Sequence, residues 1–170
     1  DGRFNNQLLA TADEVTAVDI DERALQKLLR ITPDALKPKL KIRISNVAEP
    51  FPFEDRVFDG ILCVGTLHLF PKKIMRSIVR EMDRVLKCGG IIMIDFATDI
   101  RRTYPNGDLW IIEGEPNYSL PEALAFLKEL FLEYSTTVVT DGVAPEEVIL
   151  DDRRYVFTSN FILVSAKKKR

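Results

Sequence analysis

The sequence predicts an α/β fold on a largely parallel sheet, with helices on both faces and an antiparallel strand pair at the C-terminus. Three observations predict it. Short β-branched runs end in a carboxylate, as in Val15-Thr16-Ala17-Val18-Asp19 and Ile91-Ile92-Met93-Ile94-Asp95, the pattern of buried parallel strands. Amphipathic stretches of helical period stand between such runs. Two β-rich runs close the chain, Ser135 to Thr140 and Tyr155 to Ala166, joined by an acidic loop.

The bulk numbers bound the class. At 170 residues the chain is one domain's worth, long enough to bury a core, and no repeat or second core interrupts it. A net charge of −2 argues against a protein that wraps nucleic acid. The exception is Lys167-Lys168-Lys169-Arg170, which reads as a solvated basic tail and otherwise as a contact for RNA or an acidic surface. No apolar run reaches transmembrane length and the first residues carry no signal-peptide pattern, so no membrane partner is expected. Cys63 and Cys88 have no metal-ligand spacing, which implies reduced thiols, a cytoplasmic setting and no metal site.

Each element follows from its residues. Asp1-Gly2 opens directly into a helix carrying Phe4, Leu8 and Leu9 on one face. The expectation is that a strand and the first part of a Gly-rich turn lie upstream of Asp1. After the Val15–Asp19 strand comes a helix from Glu22 to Arg30, with Ala24, Leu25, Leu28 and Leu29 buried and Asp21 as its N-cap. That leaves Asp19 free for a ligand. Pro33 and Pro38 bound a loop, and Leu40 to Ser45 alternates as a half-exposed strand near a sheet edge. A loop rich in proline and aromatics then leads to the strand Phe58 to Val64. Its apolar exit, Gly65 to Pro71, holds the one histidine, His68. A helix from about Lys72 to Leu86 turns Ile74, Met75, Ile78, Val79, Met82, Val85 and Leu86 inward, and Gly89-Gly90 is read as its stop. Ile91 to Phe96 is a buried strand. The polar stretch Ala97–Tyr118 is read as irregular and functional. Leu120 to Phe131 is a helix with Leu120, Leu124, Leu127 and Phe131 on one face.

Four pieces, in order and spacing, then carry a family resemblance. They are Asp1-Gly2, Val18-Asp19-Ile20, the loop Asn46 to Phe53 followed by Phe58-Asp59, and Met82 to Gly90. With them the chain resembles the class I S-adenosylmethionine-dependent methyltransferases, and more closely the subgroup that includes quinone-biosynthesis and other small-molecule methyltransferases. The resemblance implies a single Rossmann-like methyltransferase domain over residues 1–170, S-adenosyl-L-methionine as cofactor and a small-molecule acceptor. Nucleic-acid and protein acceptors stay open, as does oligomeric state. Asp1 and Gly2 would be the tail of the glycine-rich motif, most of which is absent. Asp19 would clasp the ribose and Ile20 cover one adenine face. Asn46, where the family commonly has Asp, would accept from the adenine amino group, and Val47 would meet the adenine edge through its backbone. Val64 ends its strand so that Gly65 lets the backbone pass close to the cofactor.

His68 is the candidate general base, with a packed structural histidine as the bland alternative. Asp95 reads first as a cap or structural hydrogen-bond partner. Tyr104 and Trp110 are candidate walls of an acceptor pocket. Two rival readings accompany the methyltransferase: a Rossmann oxidoreductase using NAD(P), since strand, Gly-rich turn, helix and acidic strand end serve that class too, and a non-catalytic methyltransferase-like partner subunit.

Overall fold

Leu9, Leu28 and Leu40 bury their side chains together and gather Val15, Ala17, Leu29, Leu36 and Ile42 around them. They form the core of the first of two compact units, Asp1–Pro52 and Phe53–Arg170, into which the chain divides. The structure is a computed structural model that describes residues 2–150 and 153–169.

The first unit holds α1 (Asn5–Thr11), β1 (Val15–Asp19), α2 (Glu22–Ile31) and β2 (Leu40–Ile44). β1 and β2 run parallel, with Val15 opposite Leu40 and Asp19 opposite Ile44, so both strands end at the same edge. Asp21 caps α2 as the sequence suggests, its carboxylate accepting from the Arg23 amide at 2.8 Å. Two expectations change. α1 buries Asn5 and Leu9, while Phe4 is exposed. Asn5 is satisfied inside because its Nδ2 donates to Thr32 Oγ1 at 3.0 Å, and that hydroxyl donates to the Leu28 carbonyl. β1 is not buried on both faces, since Val18 and Asp19 are exposed in a sheet of two strands.

The second unit holds β3 (Phe58–Cys63), α3 (Lys72–Val85), β4 (Leu86–Thr103), α4 (Leu120–Leu130), β5 (Tyr134–Gly142), β6 (Glu146–Leu150) and β7 (Arg153–Lys168). β3 pairs parallel to β4, and β4, β5 and β6 all pair antiparallel to β7. One sheet face, with Ile92, Ile94, Phe96, Ile162 and Val164, is buried beneath α3 and α4. The helices supply Met75, Ile78, Val79 and Met82 from α3, and Ala123, Phe126 and Leu127 from α4. Of the face its sequence suggested, Leu127 and Phe131 are buried, while Leu120 and Leu124 are half-buried and Ala123 and Phe126 take core positions beside them. Parallel ladders in both units and antiparallel C-terminal strands make this the α/β class that the sequence predicts.

Three local expectations are corrected in this unit. Gly89-Gly90 does not stop α3, which ends at Val85 when Leu86 turns extended and buries its side chain completely. The glycines instead sit within β4 at a register shift. Gly89 has φ +79°, and a Cβ on Gly90 would come within 2.9 Å of the Asp59 carbonyl oxygen. The acidic loop contains a further strand, β6, so three strands rather than two close the fold. Finally, Lys167 and Lys168 belong to β7 and not to a loose tail. Lys168 reaches inward, its ammonium lying 2.9 Å from the Asp83 carboxylate and donating to the Asp83 carbonyl at 2.6 Å. Arg170 lies outside the described residues.

Candidate functional site

Candidate residues gather at the carboxyl edges of the parallel strands, one set in each unit. In the first unit, Asp19 ends β1 with its side chain exposed. Its Oδ1 accepts from the Asp21 amide at 2.9 Å, and its carbonyl accepts from the Ser45 amide at 3.0 Å. The Ser45 bond brings Asn46 and Val47 to the same edge as Asp19 and Ile20. Ile20 is 68% exposed, a large aliphatic side chain left without cover at a strand end. Asn46 is turned into its own loop: Oδ1 accepts from the Ala48 amide at 3.0 Å and Nδ2 donates to Glu49 at 3.3 Å. Gly2 adopts φ +71°, and a Cβ there would lie 2.4 Å from Leu28 Cδ1, so close packing against α2 accounts for this glycine. Asp1 lies outside the described residues.

In the second unit, the register Cys63 opposite Ile94 brings the exit of β3 level with the point on β4 where the parallel pairing ends. The Gly65 amide donates to Asp95 Oδ1 at 2.5 Å, and Gly65 takes φ +63° with open space where a side chain would stand. Thr66 Oγ1 tightens the same turn by donating to the Val64 carbonyl at 2.9 Å. Asp95 thus has the structural hydrogen bond that the sequence suggested for it.

His68 follows on a 3-10 turn, Leu67–Leu69, with its ring edge-on to Phe96 at 6.0 Å. Phe96 in turn packs on Tyr118 at 5.7 Å, and the Tyr118 hydroxyl donates to the Phe70 carbonyl at 3.0 Å. His68 Nδ1 is buried and has no hydrogen-bond partner. Burial pushes the imidazole below its ordinary pKa; the Asp95 and Glu115 carboxylates pull it up, and Arg102 pushes it down. The balance leaves a neutral ring with a lone pair, the state a general base needs.

The irregular stretch expected from Ala97 begins later, because β4 runs on to Thr103 paired with β7, and sequence reasoning missed how this end of β4 and the residues after it are held. Arg102 and Glu115 form a bidentate ion pair at 2.6 and 2.8 Å with side chains only 14% and 17% exposed. Asp99, at φ +51°, accepts from the Leu120 amide and from Asn160 Nδ2, both at 3.0 Å, and so caps α4 from β4. The Asp99 amide donates to the Tyr118 carbonyl at 2.8 Å, clasping the base of the excursion. No spacing in the sequence marks these pairs. Tyr104 and Trp110 stack on each other at 6.4 Å, Trp110 packs edge-on to Tyr155 at 4.9 Å, and Arg153 lies 5.0 Å over its ring. The two candidate pocket aromatics are thus engaged in a cluster of their own.

The comparisons with known proteins meet this geometry. A family profile described as a methyltransferase domain matches residues 1–94. The chain belongs to the methyltransferase domain family. The match spans β1, β2, β3 and the Gly65 turn, and stops one residue short of Asp95. An uncharacterized protein of Haemophilus influenzae is 32% identical over 80 residues, which are 46% of this chain and 32% of that protein. The chain therefore spans about a third of the length of this curated relative. Among solved structures, the YcgJ protein of Bacillus subtilis is similar with a TM-score of 0.69 at 14% identity, covering 99% of this chain and 88% of that one. The 1,6-didemethyltoxoflavin-N1-methyltransferase of Burkholderia thailandensis, solved with 1,6-didemethyltoxoflavin and S-adenosylhomocysteine, has a TM-score of 0.60 at 19% identity, covering 99% and 67%. At such identities these structures establish the Rossmann-like methyltransferase fold alone. Among the described residues, no helix is long and apolar enough to cross a membrane, and no group of His, Cys, Asp or Glu is arranged to hold a metal.

Proposed function

We propose that this methyltransferase domain binds S-adenosylmethionine and transfers its methyl group to a small-molecule acceptor, with His68 as the base. The observation that carries the reading is the placement of Gly65. It sits at the exit of a parallel strand, inside the family match, with a left-handed backbone and open space where a Cβ would stand. That is a backbone shaped for close approach of a ligand. The exposed Asp19 carboxylate and the uncovered Ile20 side chain suit a ribose and an adenine face in the same sense. Val47 meets the adenine edge through its backbone, and Asn46 accepts from the adenine amino group through the second lone pair of an Oδ1 that also holds the Ala48 amide. Val64 supports the Gly65 turn, and Gly2, packed on α2, leads with Asp1 toward the cofactor's methionine portion.

The residues present fit the cofactor, and each has a separate task. The cofactor, when bound, supplies a methyl group on a sulfonium, a good leaving group for in-line displacement. Asp19 holds and orients through its unoccupied Oδ2, since Oδ1 is held by the Asp21 amide. Gly65 admits the ligand to van der Waals contact with the main chain. The neutral His68 imidazole, on the turn that follows Gly65, takes a proton from an acceptor O–H or N–H. Alignment and exclusion of water supply the remaining acceleration. A small-molecule acceptor agrees with the net charge of −2, which gives no general attraction to nucleic acid. The two free thiols suit a reducing, cytoplasmic setting.

Calorimetric titration with S-adenosylhomocysteine and with NAD tests the cofactor. Binding of S-adenosylhomocysteine alone is expected, and binding of NAD alone would overturn the proposal. Transfer of radiolabelled methyl to a panel of hydroxylated and amino-bearing heterocycles then tests the acceptor class.

A further inference from the structure

Asp95 stands one residue beyond the last residue of β4 paired with β3, and its carboxylate meets a segment far away in sequence. The Gly65 amide, 30 residues upstream, donates to Oδ1 at 2.5 Å. An N–H donor to a carboxylate makes one of the stronger hydrogen bonds available to a protein. Gly65 needs such an anchor. Its φ of +63° is a conformation that a glycine leaves easily, and no side chain stands against it to hold the turn. The neighbouring bond from Thr66 Oγ1 to the Val64 carbonyl is local and does not tie the turn to the sheet.

The same carboxylate acts on His68. Three charged groups from the surrounding elements bear on this imidazole: Asp95 and Arg102 from β4, and Glu115 from the excursion. Arg102 and Glu115 are bound to each other and act on the ring in opposite directions, and Asp95 is the first of the three in effect.

We propose that Asp95 is a positioning residue for methyl transfer, one carboxylate that fixes the Gly65 turn and acts by its charge on the His68 imidazole three residues further along that exit. The inference rests on the reading of Gly65 as the cofactor-facing glycine and His68 as the base. It adds a support that acts through both without touching the methyl group. An Asn at this position keeps an acceptor oxygen for Gly65 but loses the charge, whereas Ala loses both. The two substitutions therefore separate the two tasks.

The test uses the whole chain and its single histidine, whose ring protons give one unambiguous titration by NMR. In Asp95→Ala the Gly65 amide proton should move upfield, and in Asp95→Asn it should stay near its parent position. The His68 midpoint should fall in both variants. S-adenosylhomocysteine affinity should drop about tenfold in Asp95→Ala, the scale of a lost hydrogen bond to a charged group, and be largely restored in Asp95→Asn. A Gly65 amide that does not move in Asp95→Ala overturns the proposal, as does an unshifted His68 midpoint in Asp95→Asn. Equal loss of affinity in the two variants overturns it as well. Should Asp95→Ala fail to fold, the Asn variant still decides the matter through the His68 midpoint. A parent protein that binds no S-adenosylhomocysteine would remove the methyltransferase reading, and the amide and imidazole shifts would still judge the support by Asp95.

Discussion

Asp19 and Asp95 are the same residue type where a parallel pairing ends, Asp19 at the last residue of β1 and Asp95 just past the part of β4 paired with β3, yet they are committed differently. Asp19 accepts from an amide two residues along its own chain and stays exposed. Asp95 accepts from an amide 30 residues away and anchors a turn. A local bond shapes only the strand exit and leaves the second oxygen available. A long-range bond commits the carboxylate to architecture. The acidic strand end is thus not one motif but two, and the partner's distance in sequence tells them apart.

The largest effect expected from this difference lies at Asp19. Asp19→Ala should weaken S-adenosylhomocysteine binding by about 1.5–3 kcal/mol, the range for a hydrogen bond to a charged group, with little change in melting temperature. Calorimetry and thermal denaturation of the same samples measure both. Unchanged affinity would make Asp19 a mere turn former and erase the contrast with Asp95. Asp99 comes next, because it too spends its carboxylate at long range, on the Leu120 amide and on Asn160. Asp99→Ala should cost about 1–2 kcal/mol of stability through the lost cap on α4. Denaturant unfolding measures the cost, and loss below a few tenths of a kcal/mol would show that water replaces both contacts. Asp21→Ala removes a purely local cap from α2 and should cost about 1 kcal/mol while leaving cofactor affinity intact. If affinity fell as much as in Asp19→Ala, Asp21 would share the ligand, and the division of labour between the two carboxylates would fail.

The same distinction explains what could be read before the fold was known. β1, α2, α3 and the buried half of β4 were legible because period and capping are local properties, and Asp21 at the start of α2 is the clearest instance. The strand exits were legible, so the residues proposed for the site, Asp19, Ile20, Asn46, Val47, Val64 and Gly65, stand just at or past the ends of parallel strands. The ion pair of Arg102 with Glu115 was not, because its members are 13 residues apart, one near the end of β4 and the other in the irregular stretch beyond it. Gly89-Gly90 misled for a related reason. Two glycines after a helix usually end it, but here the close approach to the Asp59 carbonyl sets the requirement, and that contact exists only once β3 and β4 have paired. The C-terminal lysines misled because charge alone was weighed. Lys168 has a long apolar stem to bury along β7 and an acidic partner, Asp83, supplied by α3.

His68 provides the finest probe of the contrast, because burial and Asp95 act on it in opposite directions. Burial is the larger, so the folded imidazole has a pKa below its ordinary value of 6.5. As pH falls through about 6.5, the unfolded chain takes up a proton on this histidine before the folded one does. The folded state therefore holds its full contribution from His68 above about pH 6.5 and loses it as pH falls through the lower, folded value. Replacing the residue, as in His68→Gln, removes that term and leaves the carboxylates to titrate at lower pH. Melting temperatures of the parent and variant, compared between about pH 8 and about pH 5.5, should converge or cross on the acid side as the parent loses the extra increment. Parallel curves would mean that the imidazole titrates alike in both states. Burial would then not outweigh Asp95, and His68 would carry more positive charge near neutrality than a base can afford.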